Sequence, residues 1–164
     1  MVIWIIGLSG SGKTYLAKEI FKKLKGKKIL VDGDIVRKYI TYNLKYTKVD
    51  REKNSLLISD LCKFLEMQGF KVVCSILSIF RSHQKLNRIK FNNYFQVFLN
   101  TKFSRVKKRN NKNIYSHSNV VGKKINFPFP YKNDLIIQNN FVPYTNAKIN
   151  RIIKKINSVK KNKK

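Results

Sequence analysis

Eight residues near the start of the chain have the types and spacing for phosphate chemistry: Gly7-Leu8-Ser9-Gly10-Ser11-Gly12-Lys13-Thr14. The glycines let backbone approach an anion without a Cβ in the way. Free N–H groups of such a loop, and of the helix that follows, point at phosphate oxygens. In this spacing the lysine, Lys13, brings a full charge to the β/γ-phosphates, and the Thr14 hydroxyl ligates Mg²⁺. A strand before the loop and a helix after it are the context that confirms the pattern. Val2 to Ile6 is a short β-branched run that reads as a buried strand. Tyr15 to Lys25, with Leu16, Ile20, Phe21 and Leu24 on one side, reads as an amphipathic helix. The stretch therefore predicts a nucleoside triphosphate bound with Mg²⁺ through Gly7, Ser9, Gly10, Ser11, Gly12, Lys13 and Thr14.

Carboxylates are scarce enough to sort by elimination, because the chain has 8 acidic against 36 basic residues. Glu19, Asp60 and Glu66 fall inside predicted helices. Asp50 and Glu52 fall in the first turn of a helix, where they favour its dipole. Asp134 precedes a strand. Asp32 and Asp34 remain, both at the end of a second strand, Lys28 to Asp32, on the sheet edge that also carries the glycine loop. The third strand ends Cys74-Ser75-Ile76-Leu77 without an acid. The Asp32/Asp34 pair is therefore expected to serve Mg²⁺, the attacking hydroxyl, or both. Asp34 also stands where it could cap the next helix. Phosphoryl transfer depends on positioning and charge neutralisation more than on covalent chemistry. Arg37 and Arg51 are placed to grip an anionic acceptor, and Tyr46 to stack on a base. His83 and His117 lack triad-like or metal-ligand neighbours in the sequence.

The elements that must carry these residues alternate as strand and helix. Further strands are expected at Phe70 to Leu77, Tyr94 to Leu99 and Leu135 to Ile137. Helices are expected at Ile35 to Ile40, Asp50 to Gln68, Ser82 to Lys90, Thr101 to Lys108 and Asn146 to Val159. Arg109 to Pro130 reads as a mobile loop with little regular structure. The alternation predicts an α/β fold, a P-loop NTPase three-layer sandwich with about five parallel strands. Ligands then bind beyond the carboxyl ends of the strands.

A chain of 164 residues with 43% apolar side chains supports one packed domain, expected over 1–159 with a basic disordered tail at 160–164. No apolar run approaches the ~18 residues of a membrane span. Cys62 and Cys74 sit in apolar segments and read as reduced core residues of a cytoplasmic protein. The net charge of +28 is spread along the chain, with a dense run only at its end. That pattern favours compositional bias plus small anionic substrates over a nucleic-acid partner. The expected partner is thus a small anionic molecule, and a homodimer is left open.

The glycine loop, Val31-Asp32-Gly33-Asp34-Ile35-Val36-Arg37 and Asp50-Arg51-Glu52-Lys53-Asn54 together resemble adenylylsulfate kinase. The likeness extends through Leu77-Ser78-Ile79-Phe80, Arg109 to Tyr115 and Val121-Gly122. It implies transfer of the γ-phosphoryl of ATP to the 3′-hydroxyl of adenosine 5′-phosphosulfate. It also implies Asp34 as base or metal partner beside Thr14, with Asp32 on the substrate side. Arg37, Arg51 and Asn54 would hold the acceptor, Tyr46 would stack on its base, and Ser78 would sit beside the phosphates. Arg109 and Lys112 would belong to the nucleotide lid. Val120 stands where the family has a second base-stacking aromatic. Relatives of the family in capsule modification phosphorylate cytidine diphosphoramidate, and Leu77 to Phe80 and Asn119 to Gly122 resemble that branch.

Overall fold

The computed structural model describes residues 1–109 and 120–159. Val2–Ile6 forms β1, a run of five side chains that are all fully buried. Alternate residues of a strand face opposite sides of a sheet, so a strand buried on both faces must lie at its centre. It does. The order is β2 (Lys28–Asp32), β3 (Lys71–Ile76), β1, β4 (Tyr94–Asn100), β5 (Leu135–Gln138), and every pairing is parallel.

Ile3 and Ile5 project to the side covered by α1 (Lys13–Lys23) and α6 (Asn146–Asn157). There they meet Leu16, Ile20, Ile149, Ile152 and Ile156. Val2, Trp4 and Ile6 project to the other side. That side is closed by α2 (Gly33–Tyr39) and α3 (Lys48–Met67), through Val36, Ile58 and Cys62. The remaining helices are α4 (Arg81–Lys90) and α5 (Phe103–Arg109). The fold is the expected α/β sandwich. No helix among the described residues is long and apolar enough to cross a membrane.

Several boundaries move for identifiable reasons. α1 begins two residues early because Gly12, with φ 93°, is its N-cap, so Lys13 and Thr14 are already helical. α3 begins at Lys48 because the Thr47 hydroxyl accepts the Asp50 N–H at 3.1 Å and donates to the Asp50 carboxylate at 2.8 Å. Asp50 thus lies in the first turn as expected, whereas Glu52 does not. Residues 120–130 contain no helix or strand, yet they are not loose. Val120 and Val121 are buried with Leu8, Ile79 and Val106, while Phe127 stacks on Phe98 at 5.9 Å. Gly122 lies so close to Phe103 that a Cβ would come within 2.9 Å of its ring. The residues from 110 to 119, and the tail from 160, lie outside the described residues.

The carboxyl edge of the sheet gathers the ends of all five strands. Asn139, just past β5, fastens one end of that edge to the glycine loop. Its Nδ2 donates to the Ser11 carbonyl at 2.6 Å, and its backbone N–H donates to the Asn100 carbonyl at 2.9 Å. Asn139→Ala leaves the Ser11 carbonyl unpaired in a buried place. It is expected to lower unfolding stability by about 1–3 kcal/mol, as for a lost buried partner. Urea titration of both proteins measures this, and an unchanged midpoint would show that the loop holds its shape without Asn139.

Candidate active site

The glycine loop leaves the end of β1 in a tight space. A Cβ on Gly7 would lie 2.7 Å from the Leu99 carbonyl oxygen, so only glycine fits there. The Ser11 N–H donates to the Leu8 carbonyl at 3.1 Å and closes the turn. Lys13 Nζ donates to the same carbonyl at 2.8 Å, which folds its stem across the loop. No acidic residue occupies the first turn of α1. The positive end of a helix dipole favours a bound anion.

Asp32 is the hub of the site. Its Oδ2 accepts the Thr14 hydroxyl at 2.6 Å and the Ser75 hydroxyl at 2.9 Å. Its Oδ1 accepts the backbone N–H groups of Asp34 at 2.9 Å and Ile35 at 3.4 Å. The N-cap of α2 is thus Asp32, and Asp34 belongs to the first turn. Capping by Asp34 is excluded because its own N–H is one of those being capped. The sequence reading paired Thr14 with Asp34, but the side chain in contact with Thr14 is Asp32. Ser75 occupies the end of β3, where no acid stands, and spans to Asp32 through the direct β2–β3 register. Burial pushes the Asp32 carboxyl up, but the four donors outweigh burial and hold it below the usual carboxylate range. Mg²⁺ prefers oxygen ligands and often takes one or two carboxylates together with substrate phosphates. The Thr14 hydroxyl and the Asp32 carboxylate, already 2.6 Å apart, fit that donor set.

Beyond Asp32 lies a cationic cluster. The Arg37 guanidinium sits 4.9 Å from the centre of the Tyr46 ring, and that of Arg51 sits 5.3 Å from it. Arg37 Nη1 donates to the carbonyls of Leu44 and Lys45 at 3.1 and 2.8 Å, and Arg51 Nε to that of Tyr46 at 3.1 Å. Burial lowers the pKa of both arginines, and for Arg51 the neighbouring Arg37 charge adds to this. The negative charge of Asp34 works in the opposite direction on both. The fold therefore brings Asp34, Arg37, Tyr46 and Arg51 together. Tyr46, 58% exposed, is engaged by guanidiniums rather than standing clear for a base.

Three further residues expected at the substrate have partners within the chain. Asn54 is buried, and its Oδ1 accepts the Thr41 hydroxyl at 2.5 Å, so it ties α3 to the end of α2. Ser78 is buried, and Gln84 Nε2 donates to its hydroxyl and its carbonyl, both at 3.4 Å. Val120 is buried in the apolar cluster over the loop. His83 has the neighbours its sequence surroundings hid: Nδ1 lies 3.1 Å from Ser55 Oγ and Nε2 3.6 Å from Glu52 Oε1. Burial lowers its pKa, although Glu52 works the other way. Ser55 and His83 are both buried and join α3 to α4.

A cavity of about 470 Å³ is lined by Arg105, Lys108, Arg109, Asn140 and Phe141. The Arg109 guanidinium lies 4.6 Å from the centre of the Phe141 ring. Phe141 and Asn139 escaped the sequence reading because nothing in Gln138-Asn139-Asn140-Phe141 has a recognisable spacing. The expected lid residue Lys112 lies outside the described residues.

A model of the family described as adenylylsulphate kinase matches residues 1–134. The chain belongs to the adenylylsulphate kinase family. It is 32% identical to the cytidine diphosphoramidate kinase of Campylobacter jejuni, over 94% of this chain and 95% of that one. It is 34% identical to an adenylyl-sulfate kinase of Halothermothrix orenii, over 71% of this chain and 64% of that one. The APS kinase CysC of Mycobacterium tuberculosis, solved in complex with AMPPNP and APS, superposes with a TM-score of 0.85 at 25% identity. That match covers 96% of this chain and 97% of the other. This member of the family is accordingly a kinase, and membership implies ATP as its phosphoryl donor.

The Asp32 hub has a pH signature. A carboxylate held low in the folded state contributes stability above its unfolded pKa, and that stability is lost as pH falls through the folded pKa. Ser75→Ala removes one of the donors that hold Asp32 low. The difference in unfolding free energy between neutral pH and roughly pH 3 is expected to shrink in the Asp32 contribution relative to the parent. Denaturant titrations at the two pH values give that difference directly. An identical difference in the two proteins would mean that Ser75 does not tune Asp32.

Proposed function

We propose that the chain transfers the γ-phosphoryl group of ATP to the ribose 3′-hydroxyl of a small anionic nucleotide. Lys13 and the N-terminus of α1 hold the donor phosphates. The Thr14 hydroxyl and the Asp32 carboxylate would hold Mg²⁺, which offsets phosphate charge when bound. The cavity between Arg109 and Phe141 is the place for the donor base, with the guanidinium over one face. On the acceptor side, Arg37 and Arg51 offer paired, partly desolvated guanidiniums to an anionic group beyond the ribose. Asp34, close to both, takes the proton of the 3′-hydroxyl as its oxygen attacks the γ-phosphorus. The bond from that phosphorus to the β–γ bridging oxygen breaks, and ADP leaves.

The acceptor we favour is a cytidine nucleotide, cytidine diphosphoramidate. The observation that carries this choice is Val120, an aliphatic side chain buried among Leu8, Ile79 and Val106, at the sequence position where the resemblance implies a second stacking ring. A purine held by one aromatic face in place of two loses roughly 1–3 kcal/mol by analogy with other stacked bases. The similarity to the Campylobacter jejuni kinase, which runs nearly the full length of both chains, supports the same choice. Adenosine 5′-phosphosulfate is the second reading, favoured by the family match over residues 1–134.

Steady-state assays of ATP consumption with the two acceptors test both levels. The parent is expected to show the higher kcat/KM with cytidine diphosphoramidate, and a higher value with adenosine 5′-phosphosulfate reverses the choice. Lys13→Ala should abolish turnover with either acceptor while the protein stays folded; full activity in that variant would sink the kinase mechanism. Arg51→Ala should raise the KM of both acceptors by about 10- to 100-fold, the range for a lost charge-assisted hydrogen bond, with little effect on the KM for ATP.

A further inference from the structure

The basic residues are scattered along the chain but not evenly over the molecule. Helices α1 and α6 pack together on one face of the sheet and carry eight basic residues and one acidic residue. Helices α2 and α3, on the other face, carry six basic and five acidic residues. The one acid on α1 and α6, Glu19, is already paired with Lys22 at 2.6 Å. A general surplus of lysine would load both faces alike. The fold instead makes one side of the protein a concentrated positive field.

On α1, Tyr15, Lys18 and Lys22 recur at the three- and four-residue spacing of one helix face, while Leu16, Ala17 and Ile20 enter the core. On α6, Lys148, Arg151 and Lys155 repeat that spacing, while Ile149, Ile152 and Ile156 are buried. The six residues of the two stripes are all exposed. Each helix follows a strand of the parallel sheet, so both start at its carboxyl edge and the stripes run the same way. They meet at that end. The Tyr15 ring stacks on that of Tyr144, just before α6, with centres 5.8 Å apart, and Lys148 Nζ lies 4.9 Å from the centre of the Tyr144 ring.

We propose that the face formed by α1 and α6 binds single-stranded nucleic acid, with phosphates along the two stripes and a base on Tyr15. A strand of phosphodiesters is the polyanion that cations repeated about one turn apart, ~5 Å, neutralise at several points at once. Tyr15 is 48% exposed and offers ring area to an unstacked base, which a duplex does not supply. An anionic membrane is the poorer fit. A helix that lies in a bilayer surface buries its apolar side there, whereas α6 has no large apolar side chain exposed. None of the six residues serves the donor or acceptor groups of the proposed kinase reaction, so strand binding stands apart from phosphoryl transfer.

Fluorescence anisotropy of the full chain with labelled RNA and DNA strands of about 12 nucleotides tests this. Binding of either strand at micromolar concentration is expected, and the tighter one identifies the sugar. The logarithm of affinity should fall against that of salt with a slope near −3.5, at ~0.7 for each of the five cations engaged. Replacing Lys148, Arg151 and Lys155 together by Glu should weaken binding by about tenfold or more and flatten the slope by about 2. The same three positions changed to Gln, which is gentler on the helix, should give a smaller loss in the same direction. A charge-matched control on the other face, with the exposed Lys38, Lys48 and Lys53 changed to Glu, should have far less effect. Tyr15→Ala should cost about tenfold, as for a lost stacked base, and Tyr15→Phe should restore it. Unfolding curves establish that each variant is folded. No binding by the parent, equal losses in the two triple Glu variants, or a duplex bound as tightly as the strand would each overturn the proposal. Tighter binding to phosphatidylserine vesicles at the same salt would assign the face to a membrane and overturn it as well.

Discussion

One buried carboxylate is shared by four donors from three elements, and the rest of the site is arranged around it. Asp32 joins the first turn of α1 through Thr14, the end of β3 through Ser75, and the start of α2 through two backbone N–H groups. Such a group is costly to bury without partners and rigid once it has them. In the proposed mechanism Thr14 stands on the donor side, and α2, which carries Asp34 and Arg37, stands on the acceptor side. Their separation is therefore set by a single side chain and its hydrogen bonds. This also explains why α2 can be only seven residues long. Its start is pinned by the cap, and its end is tied to α3 by Thr41 and Asn54.

The parallel sheet supplies the frame for that hub. Strands running in one direction bring all their carboxyl ends to one edge, where a ligand finds backbone and helix termini rather than a flat surface. The central strand is buried on both faces, so the loop that follows it is anchored from below. Asn139 anchors the same loop from the side. The cluster of Leu8, Ile79, Val106, Val120 and Val121 packs apolar groups against it.

Much of this was legible in the residues. The β-branched run before the glycine loop, the alternation of strand and helix, and the position of Asp32 and Asp34 at a strand end all follow from local pattern. Which of the two aspartates holds Thr14 and caps α2 did not. It depends on Ser75, which is 43 residues away and speaks only through the strand register. Asn54 entered as a substrate contact only through the family resemblance, and its buried bond to Thr41 is a pairing that the local pattern does not announce. The Glu52–His83–Ser55 contact, the Asn139 anchor and the Arg109–Phe141 pair all join residues distant in the chain. No periodicity encodes such pairings. The packing of residues 120–130 was hidden by their polar flanks, since Phe127 and Val120 find their partners on other elements.

The central claim is that Thr14 and Asp32 act as one unit in holding the nucleotide. A double-mutant cycle on ATP affinity, measured by titration calorimetry with Mg²⁺ present, tests it most directly. Thr14→Val and Asp32→Asn are made singly and together, with unfolding curves to establish that each variant is folded. If the two groups act as a unit, the double variant loses about as much affinity as the worse single variant. Losses that simply add would contradict the account, because Thr14 and Asp32 would then serve the nucleotide independently.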